Sequence, residues 1–276
     1  MARRVAFVTG ASRGIGKASA LALGKVGFDI VVTARTLHEG EQYEHSPRLA
    51  RSDTRPLPGS IEGTAQEIQE LGARALPIRL DLLDRASLES AVETALAEWG
   101  RIDLLLNNAV YTGPGTLDHF MDVPLEVYER IFQANLFSQV FLTKLVLPHM
   151  LERGSGIIIN VTSAAGMQDP PFPAGQGGWG LAYGASKAAF HRMAGVLKVE
   201  LAGRGIRTHN LEPGLVITEA MKQSGLAEEF LAKFGGTHPG VPAAVVAWLA
   251  SHPEAEELNG QTVFAQAFYQ ERGLGD

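Results

Sequence analysis

Five tyrosines occur in the chain, and Tyr183 alone has a lysine four residues later, in Tyr183-Gly184-Ala185-Ser186-Lys187. On a helix those positions share a face, so a phenol and an ammonium can converge on one site. A free tyrosine titrates at about 10, too high for proton exchange at neutral pH. A neighbouring cation stabilises the phenolate and makes the group a usable general acid or base. The spacing alone arises readily by chance, and a surface tyrosine beside a lysine is the bland alternative. Two more residues give it weight. Ser163 follows the apolar run 157–161, where a strand would deliver a hydroxyl able to donate to a substrate oxygen. Asn135 falls midway along a helical pattern over 127–150, where asparagine costs helix propensity. It is either a satisfied buried amide or a hydrogen-bonding bridge, through water, towards the lysine.

A second constellation lies near the start. Thr9-Gly10-Ala11-Ser12-Arg13-Gly14-Ile15-Gly16 separates an apolar run from a helical pattern. Gly10, Gly14 and Gly16 allow a tight turn and close backbone approach. The helix that follows presents free N–H groups and a positive dipole end, a seat for a pyrophosphate. A packed turn without a ligand is the alternative. The same letters spell G-x-S-x-G, the nucleophile elbow of a serine hydrolase, with Ser12 as nucleophile and Asp169, His209 and His238 as candidate partners. That reading leaves Gly16 and the Tyr183–Lys187 pair without a role. The second apolar run ends in Ala34-Arg35, with no carboxylate for the ribose hydroxyls of NAD(H). Arg35 with Arg13 can instead embrace a 2′-phosphate through forked donors, which favours NADP(H) over NAD(H); two surface arginines are the alternative.

These groups need a scaffold that gathers them. Short β-branched runs at 5–9, 30–33, 75–80, 102–106, 157–161, 206–211 and 262–265 alternate with helical patterns at 15–26, 61–71, 88–99, 127–150, 183–201 and 243–249. Leu104-Leu105-Leu106 and Ile157-Ile158-Ile159 show no polar alternation, which marks strands covered on both faces. The alternation of strand and helix predicts βαβ units and a parallel sheet. A length of 276 residues allows one domain or two. No linker or composition shift divides the chain, so a single doubly wound α/β domain over 1–276 is expected. Three stretches interrupt the rhythm: 36–59, polar and proline-bearing; 167–182, with Phe172 and Trp179 among prolines and glycines; and 212–242, with apolar Leu226, Phe230, Leu231 and Phe234. Long loops at the carboxyl ends of parallel strands are where ligands bind. The first reads as a solvated, charge-compensated flap able to cover the adenosine end. The second reads either as a wall of the substrate pocket, its two aromatics supplying apolar surface, or as a loop packed on a neighbouring subunit.

Composition narrows the function classes. Without cysteine there is no disulfide framework, thiolate metal site or cysteine nucleophile. The eight histidines show no ligand spacing, so no metal is expected. A net charge of −6 argues against nucleic acid as a partner. No stretch approaches the ~18 apolar residues of a membrane helix, so no membrane is expected either. The expectation is a cytoplasmic protein acting on a small molecule.

Together these motifs resemble the short-chain dehydrogenase/reductase (SDR) family over nearly the whole chain. The turn 9–16, with Gly10, Ser12, Arg13, Gly14, Ile15 and Gly16, is similar to the family's T-G-x-x-x-G-x-G cofactor motif. Asp81, followed by Leu82, matches the acidic position used for the adenine ring, and Asn107-Asn108-Ala109 resembles N-N-A-G. Asn135, Ser163, Tyr183 and Lys187 match the catalytic tetrad in order. Residues 213–218 resemble P-G-x-x-x-T, with Pro213, Gly214, Val216 and Thr218 lining the nicotinamide. The resemblance implies a Rossmann-like sheet of about seven parallel strands in three α/β/α layers, bound NAD(P)(H), and a homotetramer or homodimer. It also implies a hydride transfer to or from the carbonyl or secondary alcohol of a small molecule, which the loops suggest is fairly apolar. Tyr183 would be the general acid/base and Ser163 would hold the substrate oxygen. Lys187 would bind the nicotinamide ribose and lower the tyrosine pKa, while Asn135 would hold a water in a proton relay. A nucleotide-binding scaffold without activity is the alternative, although a scaffold has no need of Tyr183 and Lys187 together. Two features depart from the family pattern. Val110 replaces the glycine after N-N-A, where its Cβ narrows the approach to the ribose unless the turn needs no positive φ. Ser163 and Tyr183 are further apart than is usual, so 167–182 includes an insertion.

Overall fold

The computed structural model describes residues 3–224 and 235–275; Leu226, Phe230, Leu231 and Phe234 lie outside them. The apolar first run forms β1 (Arg4–Thr9), and its side chains leave it on both faces. Ala6 and Val8 enter one buried cluster, Val5 and Phe7 the other. The next elements are α1 (Gly14–Lys25), β2 (Phe28–Ala34), α2 (Ile61–Glu70), β3 (Ala75–Arg79), α3 (Arg85–Trp99) and β4 (Leu104–Asn107). Then come α4 (Leu125–Phe132), α5 (Ser138–Arg153), β5 (Gly156–Val161), α6 (Leu181–Glu200) and β6 (Ile206–Glu212). The chain closes with α7 (Glu219–Ser224), α8 (Gly240–Ser251), β7 (Thr262–Phe264) and α9 (Ala265–Glu271).

The strands form one seven-stranded parallel sheet in the order β3-β2-β1-β4-β5-β6-β7. Helices α1, α2, α8 and α9 cover one face; α3, α5 and α6 cover the other. The expected doubly wound α/β sheet is therefore present. Strand order reverses between β1 and β4, and a crevice opens at the carboxyl ends there.

The structure departs from the sequence pattern at identifiable places. The long helical stretch runs from Leu125 to Arg153 but is broken by a π turn, Gln133–Phe137. Neither α7 nor α9 is foreseen by periodicity, both being short. The 36–59 arm is anchored rather than a solvated flap: His45, Ser46 and Asp53 are buried within it. The Pro47 carbonyl accepts from the Leu117 N–H, Leu49 N–H donates to the Asp118 carboxylate, and the Arg48 guanidinium donates to the Gly175 carbonyl. The Gly180 N–H bonds the Thr116 carbonyl. Arm, segment 115–118 and loop 174–180 thus form one wall.

Inside the sheet a row of amides crosses three strands in register. Asn107 Nδ2 donates to Asn160 Oδ1 (3.0 Å) and Thr143 Oγ1 (3.2 Å), Asn160 Nδ2 to Asn210 Oδ1 (3.4 Å), and Asn210 Nδ2 to the His191 carbonyl (2.7 Å). The row links α5 to α6 through the core, next to the strand ends that carry the site. Asn160→Ala removes its centre and leaves buried partners unsatisfied, so it should destabilise the fold by about 3 kcal/mol in urea unfolding. A loss below about 0.5 kcal/mol, the size of an ordinary surface substitution, would show that the row is dispensable.

Candidate active site

β1 delivers Thr9 to the crevice, and the glycine turn follows. Gly10 and Gly14 sit at φ 68° and 57°, conformations that side chains rarely adopt. Gly16 is required for space, since a Cβ there would run into the Gly10 carbonyl. α1 then starts without a side-chain cap, whereas Ser60 caps α2 and Asp84 caps α3. The first N–H groups of α1 are left for an anion, so the residues present fit a pyrophosphate.

One cleft of about 320 Å³ is lined by Gly10, Ser12, Arg13, Gly14, Ile15, Gly16, Arg35, Asp81, Leu82, Asn108, Ala109, Tyr183, Lys187, Pro213 and Thr218. Four expected site residues, Asn135, Ser163, Gly214 and Val216, are not among those that line it. Gly214 packs against Gln266, and Val216 is buried in a bridge to Thr237. Val110 lines the cleft, and among the described residues no non-glycine has positive φ, so the turn needs no glycine at that position.

Arg13 and Arg35 have separate fates. Arg13 donates to the carbonyls of Pro58 (2.9 Å), Gly59 (2.8 Å) and Leu57 (3.3 Å), so its guanidinium is spent on the end of the arm and does not join Arg35. Arg35 stacks on the Tyr43 ring, 4.8 Å from its centroid, and donates to Thr112 Oγ1 at 3.1 Å. Beside them Arg79 grips Glu41 and holds that carboxyl down to about 2. Tyr43, His45, Arg55 and Leu57 of the arm also line the cleft. The position of the segment directly after Arg35 signalled such a covering role, though not which of its residues would reach the cleft.

At the other end, Tyr183 and Lys187 occupy one face of α6. Burial raises the Tyr183 pKa, the Ser163 hydrogen bond lowers it, and the charge of Glu212 raises it further. The net direction is upward, because burial outweighs the Ser163 hydrogen bond. Lys187 Nζ donates to the Val161 carbonyl at 2.9 Å. Burial brings Lys187 down from 10.5 to about 8. Ser163 Oγ accepts from the Ala165 N–H (3.2 Å), which leaves its own proton to donate. Asn135 sits in the π turn, buried. Its Oδ1 accepts from the Tyr111 N–H (2.8 Å), and its Nδ2 donates to Ser186 Oγ (3.0 Å), which bonds the Tyr183 carbonyl (2.8 Å). Asn135 therefore braces the turn of α6 that holds the tyrosine and lysine.

The hydrolase arrangement is not assembled. Asp169, His209 and His238 do not line the cleft that holds Ser12. His209 is fully buried on the Leu258 carbonyl, and burial pushes it down to about 4. Phe172 and Trp179 do not line the cleft either: Phe172 is exposed, and the Trp179 ring lies over Gly184 of α6. Loop 167–182 packs on the arm and on 115–118.

A parallel sheet with an uncapped helix start and a tyrosine–lysine pair on one cleft defines a dinucleotide-dependent oxidoreductase. Comparison with known proteins narrows this. The chain matches the family described as short chain dehydrogenase over residues 4–61 and 54–229. It is 33% identical over 264 residues to a 3-oxoacyl-(acyl-carrier-protein) reductase from Synechocystis sp., covering 94% of each chain. It is 38% identical over 229 residues to dehydrogenase/reductase SDR family member 7 from Homo sapiens, covering 83% of this chain and 58% of that protein's length. It resembles the crystal structure of a short chain dehydrogenase from Mycobacterium paratuberculosis bound to NAD, with 26% identity, a TM-score of 0.76, and coverage of 95% and 96% of the two chains. The chain belongs to the short-chain dehydrogenase/reductase family, and is an NAD(P)-dependent oxidoreductase acting on hydroxyl or carbonyl groups.

The buried ammonium has a measurable consequence. Moving Lys187 from 10.5 to about 8 costs about 3 kcal/mol of stability wherever both states are charged. The unfolded chain holds the extra proton between those values, so stability rises as pH climbs from about 8 to 10.5. Lys187→Met should raise Tm by several degrees at pH 7, and the gap should close towards pH 10. A Tm below wild type at pH 7 would contradict the assignment of this cost.

Proposed function

We propose that this chain is a reductase that uses NADPH to reduce the carbonyl of a fairly apolar small molecule, with Tyr183 as the proton donor. The observation that carries the reading is that Tyr183 and Lys187 share one cleft with the uncapped start of α1. A bound nicotinamide supplies the hydride. Ser163 donates a hydrogen bond to the substrate oxygen and stabilises its developing charge. Tyr183, held protonated by burial, delivers the proton to that oxygen. Lys187 is charged below about pH 8 and stabilises the phenolate left behind. Asn135, through Ser186, keeps this turn of α6 in register. Val110, Tyr111 and Pro213 add apolar surface to the cleft. Exposed Leu125 (76%), Phe137 (55%) and Val199 (75%) support self-association, and a homotetramer or homodimer is part of the reading.

The preference for NADP(H) rests on Arg35. β2 ends without a carboxylate, and Arg35 lines the cleft with its guanidinium oriented by Tyr43 and Thr112. Arg35→Ala should raise the KM for NADPH about tenfold or more and leave that for NADH within about twofold. Equal losses with both cofactors would refute the assignment. Tyr183→Phe should abolish turnover in a screen of ketones and aldehydes followed by NADPH absorbance, while the Kd for NADPH stays close to wild type. Near-normal turnover in that variant would end the mechanistic reading.

A further inference from the structure

Glu212 closes β6 directly before the Pro213–Gly214 turn, and it is only 8% exposed. Backbone pairing between β5 and β6 ends just short of it. The last registered pair is Val161–Leu211, followed by the Thr162 N–H to the Leu211 carbonyl at 2.8 Å. Beyond that bond the two chains part, one into the Ser163 turn and the other into the turn whose Pro213 lines the cleft. The Glu212 side chain spans this gap. Its Oε1 accepts from the Gly214 N–H at 3.0 Å and from the Ala164 N–H at 3.3 Å, the residue directly after Ser163.

A strand end needs no carboxylate for packing, and a buried one is costly unless its hydrogen bonds are good. Among the described residues no lysine, arginine or histidine forms an ion pair with Glu212. Its partners are backbone N–H groups of the two turns that must stay fixed relative to each other during the reaction. We infer that Glu212 is a positioning residue of this site, the strut that holds the Ser163 turn against the Pro213–Gly214 turn. The inference rests on the reductase reading for what the two turns do, but not for the strut itself.

The charge of the strut has a second effect. The groups that act on the Tyr183 phenol are Ser163 from the end of β5 and Glu212 from the end of β6, while Lys187 on the same helix turns to the Val161 carbonyl. Burial is the main cause that opposes ionisation of the phenol, and the Glu212 carboxylate adds to it.

Two variants separate reach from charge. Glu212→Gln keeps an acceptor oxygen at the same reach without charge; Glu212→Asp keeps the charge one methylene short of the Ala164 N–H. Turnover of 4-nitrobenzaldehyde with NADPH should fall about tenfold in kcat for the Asp variant, with the KM for NADPH within about twofold, because the turns lose their fixed relation. The Gln variant should keep kcat within about threefold. In cofactor-free protein the tyrosinate absorbance of Tyr183, isolated by subtraction of Tyr183→Phe in the same background, should appear at lower pH in the Gln variant than in wild type. Unchanged kcat in the Asp variant, or a tyrosinate signal that stays put or moves to higher pH in the Gln variant, overturns the proposal. A merely structural glutamate would lower Tm without moving that signal. If wild type reduces no compound of the ketone and aldehyde screen, or Tyr183→Phe still turns over, the reductase reading has failed. The tyrosinate titration then still decides whether the Glu212 charge acts on the phenol.

Discussion

Thr9 Oγ1 receives the N–H groups of Asn108 (2.9 Å) and Ala109 (3.0 Å) while it donates to the Leu106 carbonyl (3.0 Å). This single hydroxyl joins the carboxyl ends of β1 and β4, the strands between which the sheet order reverses. It acts where backbone pairing has stopped, since the last β1–β4 pair is Val8–Leu106. Asn108 returns the contact through its amide, which donates to the Thr9 carbonyl at 2.8 Å. The glycine turn and the Asn-Asn-Ala turn therefore move as one body, and Gly10 must lack a Cβ because Ala109 lies against it. The crevice is a by-product of parallel strands diverging into helices on opposite faces. What makes it a site is that its floor is fixed by polar bonds.

The catalytic end follows the opposite rule. Its groups are held at a cost. Lys187 is an ammonium only 4% exposed, with the Val161 carbonyl as its hydrogen-bond partner and the Phe190 ring centroid 5.5 Å away. Asn135 interrupts a long helix and converts one turn to the wider π form, which lets its amide reach both Tyr111 and Ser186. A helix built for stability would carry an apolar residue in place of each. The amide row through Asn107, Asn160 and Asn210 ties together the strands beneath.

The fold was legible because its signal is repetitive. Unalternating runs such as Ile157-Ile158-Ile159 can only be strands covered on both faces, and each was followed by a helical period. The motif residues were legible because they are local: the glycine turn spans eight positions, and tyrosine and lysine are one helical turn apart. The remainder depends on contacts that no local pattern encodes. Arg48 meets Gly175 and Leu49 meets Asp118 across long sequence separations, and most such bonds run between a side chain and a backbone group. Charges within 36–59 looked self-compensating, as Arg55 with Asp53 is, yet Glu41 pairs with Arg79 on β3. The π turn left a trace, an asparagine where a helix does not favour one. Glu212 left a fainter one, a carboxylate placed directly before Pro-Gly at the end of an apolar strand.

The arm sets how the two arginines at this end of the cleft are used. Two arginines near the end of β2 and the glycine turn would ordinarily act together on a phosphate. Here three backbone carbonyls at residues 57–59 capture Arg13, and these bonds seat the arm on the glycine turn: a Cβ on Gly59 would strike the Ser12 carbonyl. Arg13 has become an anchor. Arg35 remains, with its plane set by Tyr43 from the arm and one donor turned to Thr112. Stacking on an aromatic ring leaves the guanidinium edge able to donate, and it lowers the entropy lost when a phosphate is gripped. The arm thus engages one cation and orients the other, while its own Arg55, paired with Asp53, also lines the cleft. The arm itself is held through contacts on β3, on 115–118 and on loop 174–180.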